Sequence, residues 1–244
     1  MLDALGIAQA HLVGISMGGG IAQEIAIEHP ERVITLTLMS TSLLGDDLPP
    51  PADRISKMFS EPAPSPDWTD RAAVIQSFMD MERAFSGSIP VDEERTRAIA
   101  GRMFDRTRDV AASMTNHWIL EGGDSEPIRP RLGQITAPAL VIHGTEDPLF
   151  PLPHGEALAR EIPGATLLPI EGMGHQMPPP QVWDEVVAAI LPVRRPETKS
   201  DQRVVDMSSI LRVASVPCRR DGFVFLSWCA APARALWARP CSNG

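Results

Sequence analysis

His11-Leu-Val-Gly-Ile15, Ser16-Met-Gly-Gly-Gly20 and Ile21-Ala-Gln-Glu-Ile-Ala-Ile-Glu28 form one continuous stretch. The first part is a short apolar run of strand length. The last part repeats Ile21 with Ile25, and Glu24 with Glu28, at i, i+4, a helical period with one wet face. His29-Pro30 ends that helix. Val33-Ile-Thr-Leu-Thr-Leu38 is rich in β-branched residues and predicts a second strand. Strand, helix and strand in about 30 residues make a βαβ unit, so the sheet is expected to be parallel.

Upstream, Leu2–Ile7 reads as the end of a helix. Downstream, Gly45–Pro66 is loop-rich, with Pro49-Pro50-Pro51 followed by Pro62, Pro64 and Pro66. Helical patterns follow near Thr69–Phe85, Asp92–Phe104 and Thr107–Leu120, with no strand between them. The alternation then resumes. Pro138-Ala-Leu-Val-Ile-His143 predicts a strand, Pro153–Ile162 a helix, Ala165–Ile170 a strand and Pro180–Leu191 a final amphipathic helix. The fold class is therefore α/β. Residues 1–44 and 134–192 are expected to form the core, and 45–133 a helical cap inserted over it. Met58, Phe59, Phe78, Met81, Phe85, Met103, Phe104, Met114 and Trp118 make that insertion rich in adaptable apolar side chains. For any one of them, plain packing is the simpler reading.

The 244 residues carry 22 Lys+Arg against 31 Asp+Glu, a net charge of −9, with 43% apolar residues. That is enough chain to bury a core, and it excludes a disulfide scaffold or a disordered acidic tail. The acidic balance argues against a nucleic-acid surface. No apolar run reaches the roughly 18 residues of a membrane span, and no signal peptide is legible, so a cytoplasmic protein is expected. Composition breaks near residue 192. Residues 193–244 hold nine Lys/Arg against four Asp/Glu and all three cysteines, Cys218, Cys229 and Cys241. They are expected to form a poorly ordered tail, with a docked helix at Ser208–Val216 or a basic-aromatic contact surface as alternatives.

Gly14-Ile15-Ser16-Met17-Gly18 is a G-x-S-x-G placed between a strand and a helix. A sharp turn there leaves little room around the serine, which Gly14, Gly18 and Gly19 supply. It lifts the Ser16 hydroxyl above the sheet and puts the Met17 N–H at a helix N-terminus, where an oxyanion can be received. The competing reading is a glycine-rich turn with an inert serine. Phosphate binding is weaker, because neither G-x-G-x-x-G nor Gly-Lys-Ser/Thr is present.

A nucleophilic serine needs a base and an orienting acid. Of the six histidines, His11 and His143 lie in strand patterns and read as structural. His29 reads as a helix end, and His117 and His154 as surface or cap residues. His175 differs, because Gly172-Met-Gly-His175 is a glycine-rich loop just past a strand, from which an imidazole can turn back over the sheet edge. Asp147 follows the strand 139–143 in His143-Gly-Thr-Glu-Asp147-Pro148, where open α/β sheets place their sites; a turn-forming Asp-Pro is its alternative, and Glu146 is the weaker acid. No metal-ligand spacing is visible, and neither metal nor organic cofactor is expected. With no tyrosine in the chain, a tyrosine oxyanion role is excluded.

The motifs around Ser16, Asp147 and His175 stand in the chain order of the α/β-hydrolase triad. Residues 1–191 resemble that superfamily, in the branch of small esterases and lactonases that includes aclacinomycin methylesterase-like proteins. The resemblance implies a partial α/β-hydrolase fold with a parallel sheet, flanking helices and a cap. It implies Ser16 as nucleophile, His175 as base, Asp147 as acid, Met17 as oxyanion donor and a small ester or lactone as substrate. It also implies about 90 residues of strands and helices ahead of the elbow, at about 30 per βα unit, with the loop that donates the second oxyanion N–H. Without them, one edge of strand 11–15 is expected to be open, favouring self-association. The alternatives are a hydrolase-derived fragment with little catalysis, acting by binding or not at all, and the same fold performing C–C hydrolysis or perhydrolysis.

Overall fold

A computed structural model describes residues 2–115, 127–193 and 223–226. The elbow stretch folds as its pattern predicts, into strand β1 (Ala10–Ile15), helix α1 (Met17–Glu28) and strand β2 (Val33–Met39). The two strands run parallel, from His11 opposite Thr35 to Ile15 opposite Met39. Four helices follow with no strand between them: α2 (Asp53–Ser60), α3 (Arg71–Phe85), α4 (Glu93–Arg106) and α5 (Val110–Thr115). Asp70 caps α3 by accepting from the Ala72 and Ala73 amides, and Asp92 caps α4 by accepting from that of Arg95. The sheet then resumes as β3 (Ala139–Gly144), α6 (Pro153–Glu161), β4 (Thr166–Ile170) and α7 (Trp183–Val193).

The proline-rich stretch read as loop holds α2, whose Ile55 is fully buried. Leu2–Ile7 is a single 3₁₀ turn at Asp3–Leu5, closed by Gly6 in the left-handed region. The expected helix at Thr107–Leu120 is described only as α5, and His117 and Trp118 lie outside the described residues.

The sheet order is β4-β3-β2-β1-β5, all parallel. β1 and β3 are buried along their whole length because both faces of the sheet are covered. Leu12, Leu36, Leu38, Ala139 and Val141 pack with Ala22, Ala26 and Ile27 of α1 and Ala157 and Leu158 of α6. Their neighbours in sequence, Val13, Ile15, Met39, Leu140 and Ile142, point the other way and pack with Val186 of α7. β4 sits at the outer edge, a position that tolerates Pro169 because no amide is needed there.

The fifth strand comes from the region expected to be a tail. Phe223–Leu226 form β5, parallel to β1, with His11 opposite Phe223 and Gly14 opposite Leu226. This corrects the expectation of an open edge on strand 11–15: along His11–Gly14 that edge is paired. The Phe-Val-Phe-Leu run is made of strand-favouring residues, so the short segment suits the position. The suggested helix at Ser208–Val216 lies outside the described residues. Among the described residues, no helix is long and apolar enough to cross a membrane.

Candidate active site

All the sequence-predicted groups sit where parallel strands end. Ser16 follows β1, Asp147 follows β3 and His175 follows β4. Ser16 has φ 52° and ψ −122°, a backbone conformation costly for any residue but glycine. The elbow is held from several sides. The Ser16 amide donates to the Met39 carbonyl at 3.0 Å, and its carbonyl accepts the Gly19 amide at 2.9 Å and the Thr41 hydroxyl at 2.7 Å. Gly14 and Gly19 are required sterically. A Cβ on Gly14 would strike the Gly18 carbonyl, and one on Gly19 would lie 2.6 Å from the Thr41 side chain. Met17 opens α1, so its amide belongs to the free N–H groups of a helix N-terminus.

His175 lies between the other two groups. Its Nε2 is 2.9 Å from Ser16 Oγ and its Nδ1 is 2.8 Å from Asp147 Oδ2. All three residues are buried. Asp147 Oδ1 accepts the Leu149 and Phe150 amides at 2.9 and 2.8 Å, so the turn-forming and acid readings of Asp147 describe the same group. Burial pushes the Asp147 carboxyl up. The His175 charge and the hydrogen bonds outweigh it and hold the carboxyl below the usual carboxylate range. Glu146 is engaged elsewhere, accepting from the Ser88 amide at 2.6 Å and the Ser88 hydroxyl at 2.9 Å.

The histidine loop is locked to the end of α3. The His175 amide donates to the Phe85 carbonyl at 2.8 Å, and the Ile89 amide donates to that of Gly172 at 3.0 Å. Gly172 has φ 71°, and a Cβ on Gly174 would collide with the backbone of Phe85–Gly87. Two rings flank the imidazole, Phe85 at 5.7 Å and Phe150 edge-on at 5.5 Å between centroids. Glu82, one helical turn before Phe85, also feels His175. Burial raises its pKa, and the imidazole draws it partly back.

Thr41, Phe150 and Glu82 were not singled out from sequence. Only Thr41 carries a signal there, as part of the hydroxyl run Ser40-Thr-Ser42 at a strand end. His154 corrects the surface reading. It is buried, 2.7 Å from Ser42 Oγ and 2.9 Å from the Pro49 carbonyl, because α6 starts under the loop after β2. His11 packs as a structural residue, 2.8 Å from Thr35 Oγ1. Of the apolar residues between 45 and 133, Met58, Phe59, Met81 and Phe85 cluster with Phe150, whose ring touches His175. Phe78 and Met103 pack the α3–α4 interface instead. Among the described residues, no group of three or more His, Cys, Asp or Glu could hold a metal ion.

The family described as the alpha/beta hydrolase fold matches residues 1–178. The chain is 32% identical over 205 residues to a rhodomycin D methylesterase of Streptomyces peucetius, covering 73% of this chain and 64% of that protein. It is 35% identical over 181 residues to a 2-hydroxy-6-oxo-6-phenylhexa-2,4-dienoate hydrolase of Burkholderia cepacia, covering 72% and 59%. The match thus spans less than two thirds of the length of these relatives. A meta-cleavage product hydrolase from Pseudomonas fluorescens IP01 superposes with a TM-score of 0.52 at 21% identity, over 79% of this chain and 66% of that one.

Proposed function

Because the chain belongs to the α/β-hydrolase fold family, we propose that it is a serine hydrolase that cleaves a small carboxylic ester or lactone through an acyl-enzyme. The observation that carries this reading is the unbroken hydrogen-bonded chain from Ser16 Oγ through His175 to Asp147. Ser16 Oγ attacks the carbonyl carbon while His175 Nε2 takes the hydroxyl proton. The imidazolium that forms is stabilised by Asp147, which also fixes the tautomer by accepting from Nδ1–H. The oxyanion is received by the Met17 amide at the start of α1. The proton then passes from Nε2 to the leaving alcohol. In the second half, water loses a proton to His175, attacks the acyl carbon and releases the acid with Ser16 restored. The resemblance to a methylesterase supports an ester substrate. The resemblance to the dienoate hydrolase favours a second reading, C–C hydrolysis by the same three groups, which product analysis of an ester against a dienoate separates.

The test is labelling with a fluorophosphonate, read by intact and peptide mass. A single adduct on Ser16, lost in Ser16→Ala and His175→Ala, is expected. Folded protein without an adduct overturns the reading and leaves a hydrolase-derived chain with little catalysis, acting by binding or not at all.

A further inference from the structure

His143 is the last residue but one of β3, four residues before Asp147, its side chain is fully buried, and no step of the proposed reaction uses it. Its Nε2 lies 2.7 Å from the Phe150 carbonyl. A carbonyl only accepts, so Nε2 carries the proton. The same nitrogen is 3.7 Å from Asp147 Oδ2, the oxygen that takes His175 Nδ1–H. The other nitrogen, Nδ1, is buried with no hydrogen-bond partner among the described residues. A second proton there would have to be buried unpaired, and burial accordingly lowers the His143 pKa. The ring is held in place by Gly155 of α6, where a Cβ would sit 2.7 Å from its Cγ.

Phe150 is the residue this ring grips. Its amide holds Asp147 Oδ1, its carbonyl is held by His143, and its aromatic ring stands edge-on to His175. We propose that His143, neutral and protonated on Nε2, is a positioning residue that pins the Asp147–Phe150 turn, and through it sets both the Asp147 carboxylate and the aromatic wall of the catalytic imidazole. The proposal rests on the serine-hydrolase reading and adds a residue to it. The groups facing His143 are Asp147 and His175 from the site loops and His154 from α6.

The test compares His143→Leu, which fills space without a donor, with His143→Gln, whose amide nitrogen reaches toward the same carbonyl. Active sites are counted with the fluorophosphonate and turnover is measured on a p-nitrophenyl ester. The leucine variant is expected to lose about 10–100-fold in kcat per titrated site with little change in KM. The acid limb of its kcat/KM profile is expected at lower pH, because the imidazolium loses a well-aimed carboxylate. The glutamine variant regains most of both. A leucine variant with unchanged kcat per site and an unmoved acid limb, only less heat-stable, overturns the proposal. So does a glutamine variant as slow as leucine. Should both variants fail to fold, ¹⁵N-histidine spectra of the parent decide. Nε2–H with bare Nδ1, still neutral at the pH where an ordinary imidazole takes up its second proton, is expected, and a proton on Nδ1 or a ring that titrates at the ordinary value overturns it. A parent without an adduct defeats the serine-hydrolase reading alone, and the same spectra then decide whether His143 holds the turn.

Discussion

The loops at the strand ends and the helices α2–α5 are held by different kinds of contact. Ser16, Asp147 and His175 are fixed by buried hydrogen bonds from backbone to backbone and from Thr41 and His143, and by glycines with no room for a Cβ. α3 and α4 are joined by a small apolar interface of Ile75, Phe78, Met79 and Ala100, and by ion pairs in water such as Arg71–Asp105 and Arg83–Glu93. Among the described residues, the start of α2 and the end of α3 reach the site: the Ala52 amide donates to the Pro148 carbonyl, the His175 amide donates to that of Phe85, and Met58 and Phe59 cluster with Phe85 and Phe150. The first region leaves little freedom around the three side chains. The second is held by fewer buried contacts and by pairs that water screens.

The largest effect expected from this contrast is at Asp147. Asp147→Asn keeps the shape but offers the wrong group to His175 Nδ1. kcat is expected to fall by about 10³–10⁴-fold with the fold retained. Steady-state turnover with circular dichroism as a control checks this, and a loss below about tenfold would break the view that the strand-end loops set the chemistry.

Next come the glycines. In Gly14→Ala the new methyl meets the Gly18 carbonyl, backbone that cannot swing away. A loss of about 2–3 kcal/mol in urea unfolding is expected, with Ser16 labelling abolished. Gly133→Ala, at a glycine with open space around its Cβ position, is expected to stay within about 0.5 kcal/mol. Equal effects at the two positions would erase the contrast.

Much of this was legible in sequence for physical reasons. A parallel sheet covered on both faces writes itself as short apolar runs, and an elbow at a strand end needs its glycines in sequence, so β1–β4, Ser16, Asp147 and His175 could be read directly. α2 was hidden by the prolines around it, although Ile55, Met58 and Phe59 stand at the i, i+3, i+4 spacing of one helix face. β5 was hidden because pairing with β1 depends on where a distant segment docks. Phe85 and His154 join the site by tertiary contact alone, and His154 shares its sequence pattern with any first-turn helix residue.

The buried histidines give a subtler signature. Burial lowers the pKa of both His143 and His154, so in the folded chain they remain neutral where the unfolded chain is already protonated. Below about pH 6.5 the unfolded state therefore binds more protons, and stability falls with pH by up to about 1.4 kcal/mol per unit for each such group. The loss begins near the unfolded value and stops below the folded one. Urea unfolding from about pH 7.5 to about pH 5.5 should show it, shallower in His143→Gln. Asp147 acts lower down: with its folded pKa depressed, its contribution is present above about pH 3.9 and is lost as pH falls through the folded value.

The smallest effect is expected among the helices. Arg83 pairs with Asp80 at 2.7 Å and Glu93 at 2.6 Å, joining α3 to the start of α4, but its side chain is 41% exposed. Water and salt screen such pairs, and holding three long side chains in one geometry costs entropy. Arg83→Ala is therefore expected to move Tm by no more than about 2–4 °C, less in high salt, and to leave turnover of a small p-nitrophenyl ester unchanged. The informative readout is a bulkier ester. A rise in KM confined to it would make the α3–α4 junction part of the pocket wall. A fall in kcat for the small ester would mean that drift in these helices reaches Phe85 and the imidazole behind it, and the division between the two regions would have to be redrawn at the end of α3.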